Sequence, residues 1–172
     1  MTRSPDNPLW DFSLSVYAEP GVSEECLVLQ DRHDLNINLV LLAAYLGSIG
    51  VELTEERWEA ATREIAWLDE TVVRPLRGIR RALKFHAETD GGLGPRGKEV
   101  YRTIKTAEID AERLEQDALY RWAGGASAGI APLDVRSLIA RNVTALLRAT
   151  GQNSATFEMP KRLIEAASLR RH

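Results

Sequence analysis

Apolar residues recur along this chain at intervals of three and four, and strand-like alternation bounded by turns is absent. In NPLWDFSLSVYAEPG, Leu9, Phe12 and Val16 share one face. Asn7 is placed to cap a first helix, Pro8 takes its first position, and Pro20-Gly21 stops it. A second short helix is predicted from a Ser23 cap, with Val22, Cys26 and Leu29 on its apolar side. Asn36 then caps a stretch, Ile37 to Ser48, that is apolar nearly all round, the mark of a helix surrounded by others.

The next segment is VELTEERWEAATREIAWLDETVVRPLRGIRRALKFH. Thr54 caps it, Glu55 and Glu56 complement the helix dipole, and Leu53 is placed to staple onto Trp58. Trp58, Ala61, Ile65, Leu68, Val72, Ile79 and Leu83 form its seam. Pro75 lies within that seam. It lacks a backbone donor and clashes with the preceding turn, so a kink, or two helices meeting, is predicted at Thr71 to Arg74. AETDGGLGPRGK reads as a loop. A long helix then runs from Pro95 to about Trp122, with Val100, Ile104, Ala107, Ala111, Leu114 and Ala118 as its seam. At about 1.5 Å per residue it spans roughly 40 Å. Two long helices joined by a short glycine-rich loop make an antiparallel hairpin. GGASAGI is a second break. Pro132 is expected to start a helix ending at Gly151, with Val135, Ile139, Val143 and Leu146 or Leu147 inward. A last short helix near Pro160 carries Leu163, Ile164 and Ala167. The prediction is an all-α single domain over residues 1–172, with about seven or eight helices around the long hairpin. Residues 124–172 form a less constrained C-terminal helical segment.

Composition narrows this picture. The 172 residues are enough to bury a core, and the apolar share of 44% is ordinary for a globular protein. The net charge of −3 supplies no general attraction to nucleic acid or anionic lipid. The single cysteine, Cys26, rules out an intrachain disulfide and fits a reducing cytoplasm. MTRSPDNPLWDF lacks a signal-peptide core, and the apolar run from Leu39 to Leu46 falls short of the roughly 20 residues that cross a bilayer.

The first third of the chain carries an ordered set of matches: Trp10 to Ser13, Pro20 to Val22, Cys26, Leu27, Leu29 to Asp31, Asn38-Leu39 and Leu46-Gly47. Together they resemble the opening signature of an uncharacterised family of short proteobacterial proteins with a domain of unknown function. VVRPLRGIRRALK and AEIDAERLE are similar to that family's later segments. Tyr45 stands where the family more often has Trp. The resemblance covers about residues 9 to 120 and not the segment from Gly124. It implies a helical fold and a bacterial origin, and no chemistry.

Three constellations are candidates for a site. In the first, the polar run Gln30 to Asp34 meets the apolar helix at Asn36 and Asn38. A buried Asn38 needs partners, at a cost of about 1–3 kcal/mol if it lacks them. Asp31 or the Tyr45 hydroxyl is expected in its network. Alternatively Asp31, His33 and Asn38 line a small-ligand pocket with Trp10 as a wall. The second is a basic stripe, Arg74, Arg77, Arg81 and Lys84, with Arg80 beside it. Arginines hold phosphate or carboxylate bidentately, but an antiparallel hairpin places Arg74 near Glu108, with Glu112 one turn further on. The third is the pair Glu108 and Glu112 at i, i+4, since paired helical carboxylates also serve di-metal bundles. Those bundles need Glu-x-x-His motifs on facing helices, and this chain has none, so no metal or cofactor is expected. Cys26 is read as packed and inert. No recognition motif for nucleic acid accompanies the basic stripe, which disfavours that partner.

No nucleophile–base or metal set emerges, so the reading leans away from an enzyme. It favours a helical interaction module that presents the hairpin or the C-terminal segment to a protein partner. The rival is an anionic small-molecule or enzymatic site between the first three helices and the hairpin.

Overall fold

The structure, a computed structural model, describes residues 7–89, 94–124, 134–152 and 157–170. Among them the regular structure is entirely helical. It comprises α1 (Pro8–Tyr17), α2 (Val22–His33), α3 (Ile37–Ser48), α4 (Glu55–Leu68), a π turn (Asp69–Val73), α5 (Arg74–Thr89), α6 (Gly94–Ala123), α7 (Val135–Ala149) and α8 (Lys161–Ser168). The all-α class and the helix number expected from periodicity are both observed. The chain divides into two compact units, residues 1–64 with 116–172, and residues 65–115.

In the first unit α3 is the centre. All twelve of its residues are buried, and it packs against α1, α2, α7 and α8. Asn36 caps it as expected, its side-chain oxygen accepting from the backbone N–H groups of Asn38 and Leu39 at 2.9 and 3.3 Å. Asn7 does the same for α1, accepting from Leu9 and Trp10, while its amide donates to Asp117 at 2.6 Å. Ser23 does not cap α2. The cap position is Gly21, in the left-handed region at φ 82°, and Ser23 lies in the first turn, bonded to Glu24. Glycine occupies that conformation without the Cβ clash a serine would meet.

The main contact of α3 is with α7. A Cβ on Gly47 would lie 2.8 Å from both the backbone nitrogen and the Cα of Ile139. The helices therefore touch through their backbones. One polar group stands in this contact region. Asn142 of α7 is fully buried, donates to the carbonyls of Val51 (2.8 Å) and Ala43 (3.3 Å), and accepts from Leu53 N–H (3.0 Å). It serves the chain where it leaves α3 toward α4. Asp134 caps α7, accepting from Ser137 N–H at 3.0 Å. The predicted start at Pro132 lies outside the described residues.

The C-terminal α8 packs against α1, α2, α3 and α7. Its Leu163 and Ala167 are fully buried, so the apolar face expected to dock elsewhere is spent within this unit. It has no capping side chain of its own. Glu25 of α2 caps it instead, accepting from Arg162 and Leu163 N–H at 3.2 and 2.9 Å. Arg170 donates to the carbonyl of Ser15 and to Glu19.

The second unit is the hairpin of α5 and the first part of α6, preceded by the π turn. The junction predicted at Thr71 to Arg74 is a continuous helix with one wide turn, in which Arg74 N–H donates to the carbonyl of Asp69, five residues back. Widening the turn moves the carbonyl that Pro75 would otherwise strike. It also rotates all that follows by about 100°, one residue's worth. Past Ile65 the inward positions become Asp69 and Val73 in place of Leu68 and Val72, and Ile79 is exposed. On α6 the inward row is Glu108, Ala111 and Glu115, while Val100 and Leu114 of the predicted seam are exposed. Of the predicted loop, residues 87–89 and 94–98 are helical and residues 90–93 lie outside the described residues.

Gly47→Ala is expected to cost about 2 kcal/mol of stability or more, because neither backbone can retreat from the added methyl. Urea denaturation reads this as a lowered midpoint, and an unchanged midpoint would show that α3 and α7 are not in backbone contact.

Candidate functional site

The residues singled out in the sequence fall into separate environments. In the first unit, Asn38 is buried and its side-chain oxygen accepts from Gln116 Nε2 at 2.9 Å. Gln116 in turn accepts from the Ser13 hydroxyl at 3.1 Å, and that hydroxyl also donates to the carbonyl of Leu9 at 2.7 Å. The expected network around Asn38 therefore exists, with Ser13 and Gln116 as members. Tyr45 contributes through its ring, edge-on to Phe12 at 5.4 Å and to Tyr120 at 6.3 Å between centroids. Asp31 is exposed on α2 and accepts from Gln30 at 3.4 Å. His33 ends α2, half-buried, its ring 4.7 Å from that of Phe157. It borders an open surface cleft of about 410 Å³ with Glu25, Arg32 and Glu158. Trp10 is half-buried on α1. Asn38 thus belongs to the buried core, whereas Asp31 belongs to the surface and His33 to its edge.

A larger open cleft of about 660 Å³ lies where the start of α4 meets α7. Both of its arginines are paired: Arg141 with Glu52 at 2.7 Å and Arg148 with Glu55 at 3.2 Å.

In the second unit the basic stripe and the paired glutamates meet. Arg77 donates from Nε to Glu108 at 3.3 Å and from Nη2 to Glu112 at 2.8 Å. Arg80 grips Glu108 with both Nε and Nη2. Arg77 and Arg80 are thus arginines that reach Glu108, where the register of an antiparallel hairpin turning near Gly91 predicts Arg74. Arg74 bonds Asp69 of the π turn at 2.9 Å. Arg81 faces outward. The pairing lies about one turn further along α5 than that register predicts, a displacement along the helix axis.

Arg77, Arg80, Glu108 and Glu112 thus form an ionic cluster with Glu108 at its buried centre. Its hydrogen bond to Glu108 holds Arg80 above its usual pKa. Burial pushes the Glu112 carboxyl above its ordinary 4.5, with the hydrogen bond from Arg77 opposing. Burial also pushes the Cys26 thiol up, to about 12, which leaves it protonated and unreactive in the core of the first unit. Among the described residues no group of three or more His, Cys, Asp or Glu side chains is arranged to hold a metal ion. No helix among them is long and apolar enough to cross a membrane.

Sequence reasoning missed Ser13, Gln116 and Asn142. Asn142 was findable. It falls between Ile139, Val143 and Leu146 on the inward stripe, where a polar residue must have buried partners. Gln116 had no such signal, because α6 carries polar residues on every face.

The Glu112 shift fixes a pH dependence. Between 4.5 and its higher folded value, the folded chain keeps a proton that the unfolded chain has released. Stability from this group is therefore lost as pH rises through that window. Glu112→Gln removes the titration. The stability of the wild type relative to this variant is expected to fall as pH rises above about 4.5 in urea titrations. A difference that grows with pH contradicts the assignment.

A family model described as a protein of unknown function, DUF2390, matches residues 8–119. No curated protein and no solved structure matches the chain.

Proposed function

The chain belongs to the DUF2390 family, whose description carries no activity, and we propose from the geometry that it is a helical protein-interaction module of the bacterial cytoplasm. What carries this reading is the inverted core of residues 65–115. The apolar side chains buried there are Ile65, Val73 and Ala111, while Trp67, Ile79, Phe85, Val100, Ile109 and Leu114 are exposed. A two-helix hairpin cannot bury two apolar stripes by itself, since stable folds stack at least one further layer on each. Here the inner layer is ionic and the greasy residues face out.

Part of the outward set forms a defined face, while Phe85 and Ile109 fall on the opposite side of their helices. On ideal helices, Pro75, Ile79 and Ala82 lie about 100–160° round α5 from Arg80 in one rotational sense. Val100, Ala107 and Leu114 lie about 80–120° round α6 from Glu108 in the same sense. The helices are antiparallel, so an equal sense on each brings both stripes to one side of the hairpin. The groove between them suits an apolar helix from a protein partner, the helix-in-groove mode of recognition.

The competing reading, an anionic ligand held by the arginine stripe, draws no support from the same residues. Arg77 and Arg80 are already engaged with carboxylates. The same engagement weighs against nucleic acid, together with the net charge of −3.

A photocrosslinking residue at Ala82 in the full chain, expressed in its own cell, is expected to trap protein, whereas one at Arg102 on the other side of α6 traps none. Leu114→Glu is expected to abolish the Ala82 crosslink while changing folding stability by no more than about 0.5 kcal/mol, because Leu114 is 57% exposed. If nothing is trapped at Ala82, or Leu114→Glu makes no difference, the reading fails.

A further inference from the structure

We infer that the occupant of this face is a second copy of the same chain, docked antiparallel about a twofold axis at Thr103. The inference rests on the interaction reading above and adds the identity of the partner. Its basis is the charge pattern bordering the apolar stripe of α6. Val100, Ala107 and Leu114 are spaced by heptads, the repeat that keeps one face of a helix toward a partner helix. Alongside them on the same side runs a second heptad row, Arg96, Thr103 and Asp110, all three exposed. Its ends are opposite in charge and its middle is neutral. Turned end for end about Thr103, the row complements itself: Arg96 of one copy meets Asp110 of the other, twice, and Thr103 meets Thr103. In the parallel arrangement each charge would meet its like, which is destabilising.

The apolar row fits the same operator. Turning about Thr103 places Val100 of one copy opposite Thr106 of the other and one position from Ala107, a larger side chain against smaller ones. The α5 stripe presents Pro75, Gly78, Ile79 and Ala82, mostly small residues that let a helix approach closely. Two hairpins joined this way make a four-helix bundle, the layer count that a lone hairpin lacks. The contact is isologous, so it closes at two copies and exposes no further binding face.

Within one chain Arg96 and Asp110 are fourteen positions apart on a helix, about 21 Å, so they cannot pair intramolecularly. Energetic coupling between them therefore reports contact across copies. The full chain is expected to sediment as a dimer of twice 19.2 kDa. Arg96→Asp and Asp110→Arg are each expected to weaken the dimer by about tenfold, and the double reversal to return it to within about twofold of wild type. Thr103→Cys should oxidise to a covalent dimer, while Lys105→Cys, on the opposite side of α6, should not. The buried Cys26 does not compete.

A monomer at about 100 μM overturns the inference, being far above the dissociation constants of specific pairs. So does a dimer that neither links through Thr103→Cys nor responds to charge reversal. If the chain is monomeric and the Ala82 probe traps a different protein, the interaction reading stands without the second copy. If it is monomeric and Ala82 traps nothing, both fall.

Discussion

Arg77 and Arg80 close on Glu108 and Glu112 because the π turn at Asp69–Val73 has turned α5 by one residue's angle before the hairpin begins. Everything distinctive about residues 65–115 follows from that rotation. Without it, the regular seam through Leu68, Val72 and Ile79 would face α6. With it, guanidinium and carboxylate groups fill the space between the helices and the apolar flank is turned away. An ionic cluster of this kind adds little net stability, since desolvation of the charges offsets most of their attraction. What it does supply is register. Two arginines on successive turns against two glutamates on successive turns fit in one longitudinal setting, and a slip of one turn would strand Glu108 with half its hydrogen bonds.

The first unit follows the opposite design. Its central helix is apolar on every side, and the surrounding helices are amphipathic in the ordinary sense. The buried amides and hydroxyl within it are tied to one another or to the backbone. Asn142 holds two carbonyls and an N–H of the segment around α3, and Ser13, Gln116 and Asn38 bond one another in series. The contrast between an apolar unit and one with an ionic interior is the main architectural fact about this chain.

Legibility from sequence divides along the same line. Where one strong local signal acts, reading succeeds: Asn7 and Asn36 are caps, and Ile37 to Ser48 is enclosed. The Ser23 cap fails because Gly21, with its left-handed backbone, ends the turn two residues earlier, and preference for a side-chain cap is weaker than that conformational requirement. The seam fails past Ile65 for a sharper reason. Periodicity assumes a constant number of residues per turn, and one wide turn displaces every later assignment. Pro75 announces the disturbance but not its form, since kink, break and π turn are all answers to a missing donor. The candidate site is half legible. Arginines and glutamates pair across the hairpin as their spacing suggests, displaced by about one turn along α5. The need of Asn38 for a core network is readable, but its partner Gln116 lies 78 positions away, a distance no local pattern can bridge.

The cap on α8 has a consequence for how the molecule assembles. Its eight residues are too few to persist as an isolated helix in water. Its first N–H groups are met by Glu25, which stands 137 residues earlier in the chain. The segment is therefore held as a helix by its contacts with the body of the first unit, like a latch thrown over α1 and α2. Interrupting the chain between α7 and α8 would leave wet the faces of α1, α2 and α3 that α8 covers.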